Sequence, residues 1–253
     1  MPHVAMLCTM IVLLTSQVMP PSVIRLLPDA LETINLMTQA LHENETAAEA
    51  HTPTPGMVAF LTFDDGPSRR ITPHVLDILK EHGIRATFFV LPHSGVDDLY
   101  RRIINEGHVI GNHSFSHNFQ LLYDPNNLDA FYEDTRRMSA FIQNMLGITT
   151  NLYRFPGGSM GRSAEIIAPR VEILNNLGYR HFDWHVSSGD TDRGPAGQNP
   201  ESLTNNIVNN LGGRNRPIIL MHDLWNETVI EALPMIISRL KAMGYSFGTL
   251  DEF

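Results

Sequence analysis

The chain is 253 residues long, 43% hydrophobic, with a net charge of −9, which excludes disordered and collagen-like architectures. No run of Lys or Arg supplies the footprint of a phosphate-backbone binder, so nucleic acid is not an expected partner. The one cysteine, Cys8, excludes an intramolecular disulfide and a thiolate zinc site, leaving carboxylates and the 12 histidines as metal donors.

The chain opens on an uncharged stretch, with no Lys, Arg, Asp or Glu before Arg25, and positions 4–19 are mostly apolar until Pro20-Pro21. A helix here of about 17 residues would be roughly 26 Å long, short of a ~30 Å hydrocarbon core. Residues 1–21 therefore read as a signal peptide or membrane anchor, although the segment lacks a basic start and a clean small-x-small cleavage site. That implies an extracytoplasmic protein, secreted or held at the envelope, with membrane association through this segment. Over 22–56, Leu27, Leu31, Ile34 and Leu41 recur at helical spacing, and a polar, Pro-containing linker follows from Glu43. The main domain is expected over 57–253 as a monomer.

From there strands and helices alternate. Strands are predicted over 58–63, 86–90, 109–112, 151–154, 180–183, 217–221 and 246–250. Helices are predicted over 71–82, 97–106, 128–146, 163–177, 200–211 and 227–243, several stopped by a glycine suited to a left-handed terminus. Serial βα units imply parallel strands with right-handed crossovers, in either an open doubly wound sheet or a barrel. In both, the chemistry sits beyond the carboxyl ends of the strands.

Those ends carry Asp64-Asp65, then His113, Ser114 and His117, then Arg154 to Gly158, then Asp183, Trp184 and His185 with Asp190 further on, and finally His222-Asp223. Two imidazoles four residues apart with Asp65 match a catalytic zinc-type site with an open position. Asp64 is left free as a base, Arg154 could keep it ionised, and His222 could protonate a leaving amine or alkoxide. Together they describe hydrolysis of an acyl bond. His74, His82, His93 and His108 read as solvated residues away from this mouth, whereas His185 reads as part of it.

At these residues the chain resembles the polysaccharide deacetylases of carbohydrate esterase family four, over roughly Met57 to Phe253. The motifs read Thr62-Phe63-Asp64-Asp65-Gly66, His113-Ser114-Phe115-Ser116-His117, Arg154-Phe155-Pro156-Gly157-Gly158 and Leu220-Met221-His222. The resemblance implies an α/β fold, a distorted (β/α)7 barrel with parallel strands. It also implies a hydrolase removing acetyl groups from N-acetylglucosamine residues of a glycan polymer, peptidoglycan or chitin-like. In that chemistry metal-activated water attacks the acetyl carbonyl, with Asp64 as base, His222 as acid and Arg154 orienting Asp64. Asp65, His113 and His117 would hold the ion, zinc first, with cobalt, nickel or iron also compatible. Pro156, Gly157, Trp184, Asp190, Leu220 and Trp225 are the expected substrate-binding residues: Leu220 at the acetyl methyl, a Gly157 or neighbouring N–H at the oxyanion, Trp225 as a sugar platform. Trp184 reads equally as a platform or a buried aromatic.

The fourth motif departs from the pattern, with Ser187 where relatives commonly carry an Asp that holds the catalytic histidine, and Asp190 or Asp183 would have to take over. Asn118 also replaces a frequent Pro. An O-acetyl xylan esterase, a small-amide hydrolase and a catalytically silent glycan-binding envelope protein are the alternatives, the last supported by Ser187.

Overall fold

The protein is described by a computed structural model over residues 53–192 and 199–253. The expected leader (1–21) with Cys8, the predicted helix and most of the linker lie outside the described residues, as does 193–198 in the loop after Asp190. Pro53–Phe253 forms one compact unit. Its first residues are tied down, since Thr54 donates its N–H to the Gly244 carbonyl at 2.8 Å. Among the described residues no helix is long and apolar enough to cross a membrane.

The elements run β1 (Val58–Asp64), α1 (Thr72–Glu81), β2 (Thr87–Val90), α2 (Asp97–Asn105), β3 (Val109–Asn112), α3 (Phe119–Leu122), α4 (Leu128–Leu146), β4 (Leu152–Tyr153) and α5 (Ala164–Asn176). They continue with β5 (Arg180–His181), β6 (Val186–Ser187), α6 (Pro200–Asn210), β7 (Ile218–His222), α7 (Thr228–Ala242), β8 (Ser246–Phe247) and a 3-10 turn, Leu250–Glu252. All strand pairs are parallel, in the order β5-β4-β3-β2-β1-β7-β6, with β8 beside the first two residues of β1.

This order requires curvature. Strands β5 and β6 stand at opposite ends of the sheet, yet only residues 182–185 join them, a connection that reaches at most about 17 Å. Seven flat strands at ~4.8 Å spacing would hold those edges roughly 29 Å apart. The sheet therefore curls into a seven-stranded barrel with a seam between β5 and β6.

Strand alternation sorts the side chains into two layers. Ala59, Leu61 and Phe63 of β1 face outward and pack with Val75, Leu76 and Leu79 of α1 and Ile236, Ile237 and Leu240 of α7. Each fully buried aliphatic side chain in that layer contributes about 1.5–3 kcal/mol. Phe60 faces inward, where Phe89, Leu152, Ile218 and Leu250 complete an apolar floor. Two residues further along β1 comes Thr62, and two beyond that Asp64, so the inward face runs from hydrocarbon to carboxylate toward one mouth.

Two expectations need correction. The strand β6 lies in a stretch read as loop, and no helix separates it from β5, so the βα alternation breaks at the seam. The last predicted strand is only two residues long, because Leu250 turns into the 3-10 helix and gives its N–H to Thr87 Oγ1 at 3.0 Å.

Candidate active site

Strand register brings the first carboxylates into place. Asp64 pairs with Phe89 on one side and His222 on the other, so both polar side chains emerge on the inward face at the same height. After it the chain turns: Asp65 has φ +72°, and His93 Nε2 binds the Asp65 carbonyl at 2.7 Å. His93 is thus part of the mouth, contrary to its reading as a remote residue, and His108 is 4% exposed rather than solvated. At Gly66 a Cβ would fall 2.4 Å from Asp223 Oδ2, so only glycine lets the turn pass this buried carboxyl. Burial pushes the Asp223 pKa well up, and Thr72 Oγ1 donates to its carboxyl group at 2.7–2.8 Å. Asp223 is therefore a buried wall element of this turn.

Strand β3 delivers His113 at its end and the following loop delivers His117. Ser114 and His117 have φ +76° and +49°; with Asp65 they are the only non-glycine residues with positive φ among those described. Backbone strain of this kind collects where a function holds it in place. The loop brings His113 Nε2 to 3.3 Å and His117 Nε2 to 3.2 Å from the same oxygen, Asp65 Oδ1.

These three residues fit a divalent ion. His113 Nδ1 donates to the Arg154 carbonyl at 2.9 Å, so its Nε2 presents a lone pair to the site. Burial, and then the neighbouring His113, hold His117 below the ordinary imidazole pKa. Asp65 Oδ1 is buried without a hydrogen-bond partner among the described residues. A buried carboxylate oxygen that two imidazole nitrogens approach without hydrogen-bonding to it is left unsatisfied unless a cation joins them. Tetrahedral bonds of roughly 2.0–2.1 Å set donor atoms about 3.3 Å apart, the spacing from the shared oxygen to each nitrogen.

Arg154 enters from the end of β4, fully buried. Its Nη1 donates to Asp64 Oδ1 at 2.9 Å and to Thr62 Oγ1 at 2.7 Å, and its Nε donates to the Phe182 carbonyl at 2.9 Å. One residue thus fixes His113 through its carbonyl and Asp64 through its guanidinium. Asp64 Oδ2 lies 3.7 Å from His113 Nε2.

Across the mouth, Asp190 Oδ1 accepts from His222 Nδ1 at 2.9 Å while Oδ2 accepts the His222 N–H at 2.7 Å. Burial works against protonating His222, but the Asp190 hydrogen bond and charge, helped by Asp64 and Asp65, raise its pKa to about 9. With Nδ1 committed to Asp190, the proton available to the site is on Nε2. This meets one expectation and corrects another. Ser187 does not leave His222 without a carboxylate: of the two acids expected to take over, Asp190 does so, carried beside His222 by the register Ser187↔Leu220. Asp190, fully buried with both oxygens engaged, is a partner of His222 and not a substrate contact. Asp183 instead accepts from Ser159 N–H at 2.9 Å and from Ser159 Oγ.

The remaining expected substrate residues are spread around the mouth. Leu220 shares the inward face with Ile218 and His222 and is buried. The Pro156 carbonyl is taken by Tyr123 Oη at 2.7 Å. Gly157 is exposed, with φ +70° and no acceptor for its N–H among the described residues. Trp184 is half-buried against the apolar floor, its ring close under Gly158. Trp225 is 46% exposed. His185 lies at the other end of the barrel: its Nδ1 accepts the N–H of Ile218, the first residue of β7. The sequence reading missed Phe119, which is 44% exposed and lies 5.4 Å from the His117 ring. The Asn118 N-cap, which accepts from Gln120 and Leu121 N–H, was the signal for that short helix.

Comparison with known proteins gives a consistent picture. The Polysaccharide deacetylase family profile matches residues 51–182. Over 213 residues the chain is 32% identical to a Bacillus cereus protein named peptidoglycan-N-acetylglucosamine deacetylase, covering 83% of this chain and 75% of that one. The solved catalytic domain of peptidoglycan N-acetylglucosamine deacetylase from Eubacterium rectale is similar with a TM-score of 0.70 and 31% identity, over 79% of this chain and 91% of that one. A carbohydrate esterase family four pseudoenzyme from Bacillus anthracis gives 0.65 at 23% identity, over 78% and 64%, a likeness of fold alone.

Proposed function

The chain belongs to the polysaccharide deacetylase family, and from that premise we propose that it hydrolyses the N-acetyl group of N-acetylglucosamine residues in a cell-wall glycan, peptidoglycan first. The observation that carries this reading is the meeting, at one mouth, of the Asp65–His113–His117 donor set, the Asp64 carboxylate and the His222 imidazolium.

Asp65, His113 and His117 would hold a divalent ion, zinc first, which when bound would supply a Lewis acid and lower the pKa of water to about 7. Asp64, with Oδ1 held by Arg154, keeps Oδ2 to take the proton from the attacking water. The exposed Gly157 N–H donates to the developing oxyanion. His222 Nε2 then gives its proton to the leaving sugar nitrogen as the C–N bond breaks, yielding acetate and a free amine. Leu220 and the apolar floor exclude water beneath the acetyl group. Trp225 and Phe119 offer rings to the sugar faces.

The alternative of a silent glycan-binding protein rested on Ser187, and that support falls away with Asp190 on His222. Acetate release from peptidoglycan, chitooligosaccharide and acetylxylan tests the proposal. Release from the first two and not the third is expected; release from acetylxylan alone would replace it with O-acetyl esterase activity. An extracytoplasmic location is part of the proposal, and fractionating cells that make the chain with and without residues 1–21 checks it.

A further inference from the structure

Bringing two histidines four residues apart onto one carboxylate oxygen demands a tight loop, since an extended segment would separate them by roughly 13 Å. The loop after His113 takes left-handed conformations at Ser114 and His117, which residues with a Cβ seldom adopt. It makes no ladder of its own. Instead five consecutive N–H groups are each accepted by a side chain: Ser114 by Asn112 Oδ1 at 2.8 Å, Phe115 by Asp134 Oδ1 at 2.7 Å, Ser116 by Asp134 Oδ2 at 3.0 Å, His117 by Ser114 Oγ at 3.1 Å and Asn118 by Ser116 Oγ at 3.2 Å.

Three of these acceptors, on Asn112, Ser114 and Ser116, sit within the loop or at its root and move with it. Asp134 alone reaches in from another element, the long helix α4, and takes the two central N–H groups. It is 3% exposed, in a helix interior where an aspartate is a poor choice for both propensity and burial. Its two carboxylate oxygens match the two N–H groups and explain its presence. The adjacent residues grip the same loop: the Thr135 carbonyl accepts Asn112 Nδ2 at 3.1 Å, and the Arg137 guanidinium lies 3.9 Å from the centre of the Phe115 ring.

We propose that Asp134 is a positioning residue for the metal centre, holding the 113–117 loop in the one shape that aims both imidazoles at Asp65. The inference rests on the metal-site reading above. Asp134→Asn keeps the volume but can accept only one of the two N–H groups, turning an amide donor toward the other. Groups that orient metal ligands typically change affinity ten- to a hundredfold when removed.

The test uses the full chain, stripped of metal and titrated with Co2+ and Zn2+ against a chromophoric chelator, with the Co2+ absorption spectrum recorded. Asp134→Asn is expected to weaken both ions about ten- to a hundredfold and to alter the Co2+ bands. Leu240→Ala, a core truncation far from the mouth, is expected to lower the thermal midpoint of the metal-free protein while leaving affinity and spectrum unchanged. Should Asp134→Asn not fold, Asp134→Glu, which keeps both oxygens one methylene out of place, is read by the same criteria. Affinity within twofold of the parent, or an equal loss in Leu240→Ala, overturns the role of Asp134 alone. A parent chain that binds neither ion overturns the metal reading and this inference together.

Discussion

Replacing Asp190 with Asn separates the charge that holds His222 from the space it fills. In the parent, the two Asp190 oxygens accept His222 Nδ1–H at 2.9 Å and the His222 backbone N–H at 2.7 Å. An amide can serve only one of them and carries no charge. The Asp190 hydrogen bond and charge are what chiefly hold the His222 pKa at about 9 against burial. Without them the value should fall to the ordinary imidazole value of about 6.5 or lower, a loss of roughly 3 kcal/mol of imidazolium stabilisation. At pH 8 that takes His222 from mostly protonated to a few per cent protonated, about a thirtyfold loss of the competent form. The assay is the pH dependence of kcat for acetate release. The basic limb should move from near pH 9 to pH 6.5 or below. A limb that stays near 9, with kcat at pH 8 within threefold of the parent, would refute the assignment of His222 as the acid and Asp190 as its support.

Other outcomes follow from the same geometry. The raised His222 pKa means that the His222–Asp190 pair stabilises the fold fully below pH about 6.5 and loses this contribution as pH rises through about 9. Urea unfolding of chelated protein should therefore separate parent from Asp190→Asn more at pH 6 than at pH 10; equal gaps contradict it. Asp64→Asn should cut turnover by about 10²–10⁴-fold with metal stoichiometry unchanged. Because Arg154 is fully buried, the same change should destabilise by about 3–5 kcal/mol in urea unfolding. Gly157→Ala places a Cβ 2.8 Å from Phe119 Cε1 at φ +70°, and should cost about 1–2 kcal/mol from the left-handed conformation alone. Adding Phe119→Ala should recover the contact cost and not the conformational one, read as non-additive urea midpoints.

Much of the barrel was legible because its signals are local. Leu128–Leu146 carries an uninterrupted helical period and ends on Gly147 at φ +70°, and Val109–Asn112 ends on the first histidine, so both elements match their predicted bounds. The strand Val186–Ser187 carried no such signal, since two residues have no periodicity and Ser187-Ser188-Gly189 reads as a turn. The partner of His222 was narrowed to Asp190 or Asp183 but not chosen, since counting along the motif lands on Ser187 and only the pairing of β6 with β7 selects Asp190. The cluster of Asp65, His113 and His117 was readable from its position at strand ends, and the structure brings the three side chains together. Asp134 and His93 were invisible, because each acts on the mouth through a hydrogen bond to backbone far along the chain. His185 was placed at the mouth only because a strand was drawn through 180–183; the chain instead turns after His181 and descends to the start of β7.

Acetate release from N-acetylglucosamine oligomers, followed while a divalent ion is returned to the chelated protein, tests the central claim most directly. Activity should be absent in the stripped protein, rise with added ion and break at one equivalent, and the same titration of His117→Ala should stay at the blank. Full activity without metal, or a protein loaded with one equivalent that releases no acetate from any of the three glycans, would contradict the account.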